Sequence, residues 1–573
     1  MQRVSPVRIL LTTTVLAAGF LFVATSSALA QGSKPLPALT QTSPDALTRA
    51  LAAGELTQAQ YALQRALSLF RPAQVAARYG EVKRPDPRAA TLILRDLAIR
   101  VRYLSGADRR QALAILSRPT DSTPGDPDRY STTEQTPVCG TNVCIHYVTT
   151  TGDAVATADM TPNNGIPDYV DSALQTFQNE VWANEVTMMG YRAPKSDFAS
   201  SNNGASVSDD GHKFDVYLAN LGDDFLYGYC TSDDPNLEQS SHYDFFDMSA
   251  YCVVDNNFTE PIFSNHTPLQ NLQVTAAHEF FHAVQFSYDA FEDQWILEAT
   301  ATWMEDERYD DVNDNLQYLS SGPLRKPGIP LDRSSISQTD FHVYGDWIFF
   351  RYLSETFNQG IVRLIWNRAD ASEDTDLGGP DGEGPDDFSV QAVSRVLSSR
   401  GGFRSRFAQF GWMNRVARVP DVYDEGAPNH YPQAPLTDPA QTLSKSAPRR
   451  SKSPKLDHQT NAYYEFKRGS GFSSTAKLKV ILNLPARSTG SAASVLVFRK
   501  NGSVSPFTLG ITSAGGGTFK VPFGSGVAKV DVILTNASTR YVGSSCFSDT
   551  TPFACGGATP RDDNKTYALT ARV

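Results

Sequence analysis

The sequence predicts an α+β protein in three parts: a helical N-terminal segment, a mixed central domain and a β-rich C-terminal domain. Three observations carry this. Apolar residues recur at helical spacing through residues 46–104, with polar residues and arginines on the other face. From Val138 onward, β-branched runs share the chain with long apolar-periodic stretches. Beyond residue 461, short β-rich runs are separated by Gly, Ser and Asn turns. The chain has 573 residues, 40% hydrophobic and 20% charged, enough for a sizeable core, which excludes wholesale disorder. Its net charge is −11, and its 62 acidic residues divide into 45 Asp and 17 Glu. Neither nucleic acid nor an anionic membrane is therefore the expected partner.

The elements follow in order. Arg3 and Arg8 precede an apolar stretch at 9–24, and Ala28-Leu29-Ala30 stands before Gln31. This is the pattern of a secretory signal peptide over residues 1–30. No later stretch approaches the ~18 apolar residues a spanning helix needs, so a secreted, extracellular monomer is expected. Residues 31–130 read as helical: Ser43-Pro44-Asp45 opens a helix, and 56–70 and 89–104 repeat the pattern. Two readings of this segment stand: an integral helical subdomain, or a pro-region removed on maturation. A Pro/Ser/Thr/Asp stretch at 119–137 closes it. In the central domain, 131–432, strands are expected at 144–149 and 214–218. Helices are expected within 267–309, 352–368 and 390–416, with an acidic Gly/Pro loop at 371–387. Residues 433–460, rich in Pro, Ser and Lys and containing Arg449-Arg450, read as a solvated linker. Residues 461–573 read as a β-sandwich accessory domain, with runs at 477–482, 493–498, 519–521 and 530–534 and no catalytic pattern.

Export makes disulfides expected. The six cysteines fall into near pairs, Cys139/Cys144, Cys230/Cys252 and Cys546/Cys555. Six cysteines allow 15 pairings, so nearest-neighbour bridging is a preference.

The chemistry lies in His278-Glu279-Phe280-Phe281-His282. On a helix, positions i and i+4 share a face one turn apart, so both imidazoles can reach one ion. Zn²⁺ takes neutral nitrogen donors and acidifies its water, and Glu279 is the neighbouring carboxylate that can take the proton. With 9 His and 17 Glu in the chain, the pattern arises by chance only about 0.004 times. The metzincin extension would need Gly at 285 and His at 288; Gln285 and Tyr288 stand there instead. A catalytic zinc site needs a third ligand. Glu298 follows His282 on a second helix-compatible stretch, far enough for the chain to turn back past the metal. Glu305, two turns further on, is the rival ligand or a supporting partner.

Here the sequence resembles the gluzincin zinc peptidases, in which H-E-x-x-H is followed by a Glu on the next helix. Trp295-Ile296-Leu297-Glu298-Ala299-Thr300-Ala301 looks like the W-L-x-E-G-x-A segment of their aminopeptidase-type branch, with Ala299 in place of Gly. The G-x-M-E-N exopeptidase signature is absent, so aminopeptidase specificity is not carried over. The resemblance implies a zincin-like metallopeptidase domain. In that domain His278, His282 and Glu298 hold Zn²⁺, Glu279 activates water, and protein or peptide substrates are cut internally. Tyr344 or His342 would stabilise the oxyanion, as Tyr or His does in related peptidases. A further run, 159–171, looks like the Asp/Asn-Gly loops that wrap Ca²⁺, with Asp159, Asn163, Asp168 and Asp171 as oxygen donors; a plain Asx turn leading into a helix is its alternative. The competing functional class is a secreted, calcium-stabilised adhesin or binding protein with a structural metal site. Glu279 discriminates between them, since a structural site has no use for a carboxylate beside its ligands.

Overall fold

The computed structural model describes residues 45–82, 84–195, 213–234, 247–334, 340–370, 387–542 and 551–573. Residues 1–30, read as a signal peptide, Ser43, Pro44, most of the 371–387 loop and Cys546 lie outside the described residues.

Local chemistry starts the N-terminal helices. Asp45 accepts the Thr48 amide and opens α1 (Ala46–Ala52), and a reciprocal Thr57/Gln60 capping box opens α2 (Gln58–Phe70). Pro72 stands at the first position of α3 (Pro72–Tyr79). Next come α4 (Ala90–Ala98), in which every residue is buried, and α5 (Gly106–Ile115). These helices do not form a separate core. Leu47, Leu63, Leu92 and Leu97 belong to the same hydrophobic cluster as Val216, Phe280, Trp295 and Trp347 of the central domain. Burying Leu92, Ile93, Leu94 and Leu97 of α4 alone contributes about 6–12 kcal/mol at about 1.5–3 kcal/mol each. That is comparable to the whole net stability of a domain, about 5–15 kcal/mol.

The central sheet has the order β1-β2-β3-β5-β4. Its strands are β1 (Val138–Cys139), β2 (Val143–His146), β3 (Phe214–Ala219), β4 (Gly228–Thr231) and β5 (Tyr251–Asp255). β2, β3 and β5 run parallel, while β1 and β4 lie antiparallel on the two edges. Cys139–Cys144 bridges β1 and β2, and Cys230–Cys252 bridges β4 and β5, two of the three expected pairs. Between β2 and β3 the chain forms α6 (Asp168–Leu174), which runs on as a π-helix through Gln175–Met188.

A helix packed on β4 and β5 and a second helix packed on it then follow. A Thr267/Gln270 capping box with Pro268 at the first position starts α7 (Pro268–Asp289). A tight turn at 290–293 sends α8 (Gln294–Tyr309) back against it. Further helices are α9 (His342–Gly345), α10 (Trp347–Thr356), α11 (Gly360–Arg368), α12 (Val390–Ser398) and α13 (Phe403–Arg415). α9 packs backbone to backbone on the preceding turn: a Cβ on Gly345 would lie 2.4 Å from the Gly322 amide nitrogen, so only glycine fits.

The stretch 433–460 is not a tether. It contributes β6 (Gln441–Leu443), β7 (Arg449–Lys452) and β8 (Lys455–Leu456), each paired into a sheet. The remaining strands are β9 (Thr460–Arg468), β10 (Lys477–Asn483), β11 (Ser491–Arg499), β12 (Val504–Thr508), β13 (Gly516–Pro522), β14 (Val527–Asn536), β15 (Lys565–Thr566) and β16 (Ala568–Arg572). They form sheets of order β13-β10-β16-β7 and β12-β11-β14-β9-β6 that share one core. β7 is an edge strand with Arg449 and Ser451 fully exposed, and charges on an edge block further pairing. The same composition reads as a linker when the pairing partner, β16, lies over a hundred residues away.

The C-terminal domain is pinned to the central one by buried carboxylates. Asp332 accepts from Tyr541 and from the His458 ring at 2.9 Å. Asp293, the residue before α8, accepts the amides of Cys555 and Gly556 at 2.7 and 3.1 Å. Their left-handed backbones (φ 64° and 59°) make a concave nest for the carboxylate.

Candidate metal centre

α7 carries His278, Glu279 and His282, and α8 carries Glu298 and Glu305. The 3.6-residue period sets His278 and His282 on one face, and the return of α8 brings Glu298 between them. His278 Nε2 lies 3.1 Å from His282 Nε2 and 3.2 Å from Glu298 Oε2, and His282 Nε2 lies 3.6 Å from the same oxygen. Three ligands of a tetrahedral ion with bonds of about 2.0–2.1 Å are separated by about 3.3–3.4 Å. The triangle therefore fits one zinc-sized ion bound by all three atoms.

The other nitrogens are held from behind. His278 Nδ1 meets Glu305 Oε1 at 2.6 Å, and His282 Nδ1 meets Gln285 Oε1 at 2.7 Å. An oxygen acceptor at each Nδ1 takes its hydrogen and turns both Nε2 lone pairs to the common point. Gln285 cannot flip its amide without loss, because its Nε2 donates to Leu297 O and Thr300 Oγ1. Glu305 is thus a backing group for His278, and the ring of His278 stands between the two glutamates.

Electrostatics sort the carboxylates. Burial pushes Glu298 up, but the two facing imidazoles outweigh it and hold its carboxyl down at about 2. At Glu305 burial prevails over the His278 contact and pushes the carboxyl up to about 7. Burial would lower His278, yet Glu298 and Glu305 raise it well above the ordinary imidazole range.

Glu279 lines a cleft above the triangle with Val274, His278, Tyr318 and Tyr344, bordered by Gly228 of edge strand β4. Gly228 is needed for the close approach of β4 to α7, since a Cβ there would lie 2.8 Å from Thr275 Cγ2. Tyr344 stacks 6.1 Å from the His278 ring, and its hydroxyl donates to Arg88 O at 2.9 Å. His342, the other oxyanion candidate, is corrected: its ring is fully buried against the Ser321 and Pro330 carbonyls and does not face the cleft. Two positions on the short α9 point in different directions, and the sequence does not reveal which faces inward.

The stretch read either as a calcium loop or as an Asx turn makes the local bonds of Asx turns. Asp159 accepts the amides of Asn164 and Gly165, Asp168 accepts those of Met160 and Thr161, and Asp171 accepts Asn164 Nδ2. Those bonds to Asp168 lower its carboxyl. Among the described residues Asp159, Asp168 and Asp171 are not one of the convergent carboxylate groups, and the segment makes Asx turns entering α6. Among the described residues a second convergence joins Asp306, Asp310 and Glu425, but Arg351 already sits on it, 2.9 Å from Asp306.

Sequence reasoning missed Gln285 as a partner, although its place three residues after His282 was a signal. It also missed Thr91, whose hydroxyl donates to Glu279 Oε2 at 2.6 Å from 188 residues away.

No protein-family model matches the sequence, and no curated protein matches it. Among solved structures the chain is similar to the pre-peptidase C-terminal domain of collagenase from Bacillus anthracis. The identity is 8%, the match covers 24% of this chain and 99% of that one, and the TM-score is 0.14. A likeness at that level carries no argument.

Proposed function

We propose that the chain is a secreted zinc-dependent endopeptidase of gluzincin type, with a zincin-like central domain and a β-sandwich C-terminal domain. The observation that carries it is the triangle of His278 Nε2, His282 Nε2 and Glu298 Oε2, with Glu279 on the adjoining cleft. Zinc bound there supplies a Lewis acid that acidifies water and polarises a carbonyl. Glu279 takes the proton from the attacking water and hands it to the leaving amine nitrogen. Glu305 and Gln285 keep both imidazoles oriented throughout, and Tyr344 serves as the oxyanion donor only by turning its hydroxyl away from Arg88 O. Export is supported by the N-terminal signal pattern and the two disulfides.

The test is direct. Purified protein is assayed for bound metal and for casein hydrolysis, with and without a chelator. About one zinc per chain and chelator-sensitive cleavage are expected. Bound zinc without hydrolysis returns the binding-protein reading, and hydrolysis indifferent to metal removal overturns the zinc mechanism.

A further inference from the structure

The Thr91 hydroxyl has one proton, and it goes to Glu279 Oε2 at 2.6 Å. In return the oxygen accepts the Cys230 amide of β4 at 2.9 Å. Both partners are fixed, so the hydroxyl cannot rotate away, and the side chain is 1% exposed. α4, which carries Thr91, is anchored at its far end as well. Arg95 donates to the carbonyls of Ala290 and Glu292, both at 3.0 Å, in the turn that joins α7 to α8. The segment just before α4 lines the cleft with Pro87 and Arg88, and Arg88 O takes the Tyr344 hydroxyl.

From this geometry we infer that Thr91 is a positioning residue for Glu279, and that the N-terminal helical segment is a permanent part of the active site. The role rests on the endopeptidase reading. By holding Oε2, the hydroxyl keeps the carboxylate in one rotamer and leaves Oε1 for proton transfer. A removable pro-region would have to take Thr91 with it. That would leave the Cys230 amide and Glu279 Oε2 without their partner and strip the shared core of α4. A latch that merely blocks the base is the opposite case, because its loss raises activity.

The experiment uses the full chain, secreted and purified by its activity. Thr91→Val keeps the shape and removes the hydroxyl. It is expected to lower kcat about 10- to 100-fold with KM and bound zinc unchanged, and to lower the thermal midpoint, because the buried Cys230 amide loses its acceptor. Thr91→Ser is expected to restore kcat. N-terminal sequencing and intact mass of the wild-type active fraction are expected to find residue 91 still present, in one chain or in a co-purifying fragment. A Thr91→Val enzyme as active as wild type or more so overturns the inference. So does an active fraction lacking everything before about residue 130, whatever the variant does. Wild-type protein with no chelator-sensitive hydrolysis fails the endopeptidase reading itself, and this role with it.

Discussion

Replacing Glu298 and Glu305 in turn by alanine separates a ligand from its support. The two lie seven positions apart (305 − 298) on α8, about 10 Å at 1.5 Å per residue, and they reach opposite nitrogens of one imidazole. Four-ligand zinc sites bind with about 10–16 kcal/mol, so one ligand in four is worth about 2.5–4 kcal/mol. At about 1.4 kcal/mol per decade, Glu298→Ala should weaken zinc binding by ~10²–10³-fold and abolish hydrolysis. Glu305→Ala leaves the ion's three donors in place and removes only the acceptor at His278 Nδ1, so a loss of about 10–100-fold is expected. Zinc per chain after dialysis against a weak chelator reads the difference, with circular dichroism to establish folding. A Glu305→Ala protein that loses its metal beside a Glu298→Ala protein that keeps it would refute the assignment. Equal loss in both would refute the division of roles.

Glu279→Gln should keep about one zinc and lose ~10²-fold or more in kcat, the scale of general acid–base work; a zinc-loaded variant with full turnover removes Glu279 from the mechanism. Gln285→Leu frees the His282 ring and should weaken zinc binding about 10–100-fold at unchanged folding, measured by competition with a chelating dye. A pH effect is expected where the domains meet. Although burial acts to lower it, Asp332 and Asp563 raise His458 to about 10, above the ordinary imidazole value of about 6.5. A raised folded value stabilises fully below about 6.5 and is lost as pH climbs towards 10. The wild-type thermal midpoint should therefore fall over that window, by free energies on the order of a few kcal/mol. A His458→Gln protein should show a flatter profile in the same window, and parallel profiles would count against the linkage. His146, raised to about 9 by Asp215 and Glu134 against the effect of burial, titrates in the same range and is common to both proteins.

What the sequence revealed follows the range of the interactions involved. The metal-binding pattern on α7 is local, set by the helical period, and Glu298 needs only one short turn to reach it. The two disulfides join neighbours in antiparallel pairs, Cys139 with Cys144 and Cys230 with Cys252, so proximity along the chain was a fair guide. Three features were opaque. Thr91 meets Glu279 across 188 positions with no spacing rule to connect them. β7 carries the charges of an exposed edge, which look the same as those of a solvated linker. The loop at 159–171 has the residue types of both a calcium loop and an Asx turn; whether the oxygens point inward at a cation or take their own loop's amides is a matter of backbone geometry. His342 failed for a related reason, since two residues on one short turn face different surroundings.

The clasp on Asp293 has a consequence in time. The carboxylate that begins α8 is gripped by amides 262 and 263 positions further along the chain. A second anchor, Asp332 with Tyr541, spans 209. Contacts of such separation close late, because the intervening chain must be made and gathered before they can form. The helix that brings Glu298 to the histidines is held early by α7 and by Arg95, and the Asp293 clasp adds its last anchor. A chain cut short before residue 551 would lack the amide clasp on Asp293 and enter α8 with that carboxylate unpaired by Cys555 and Gly556.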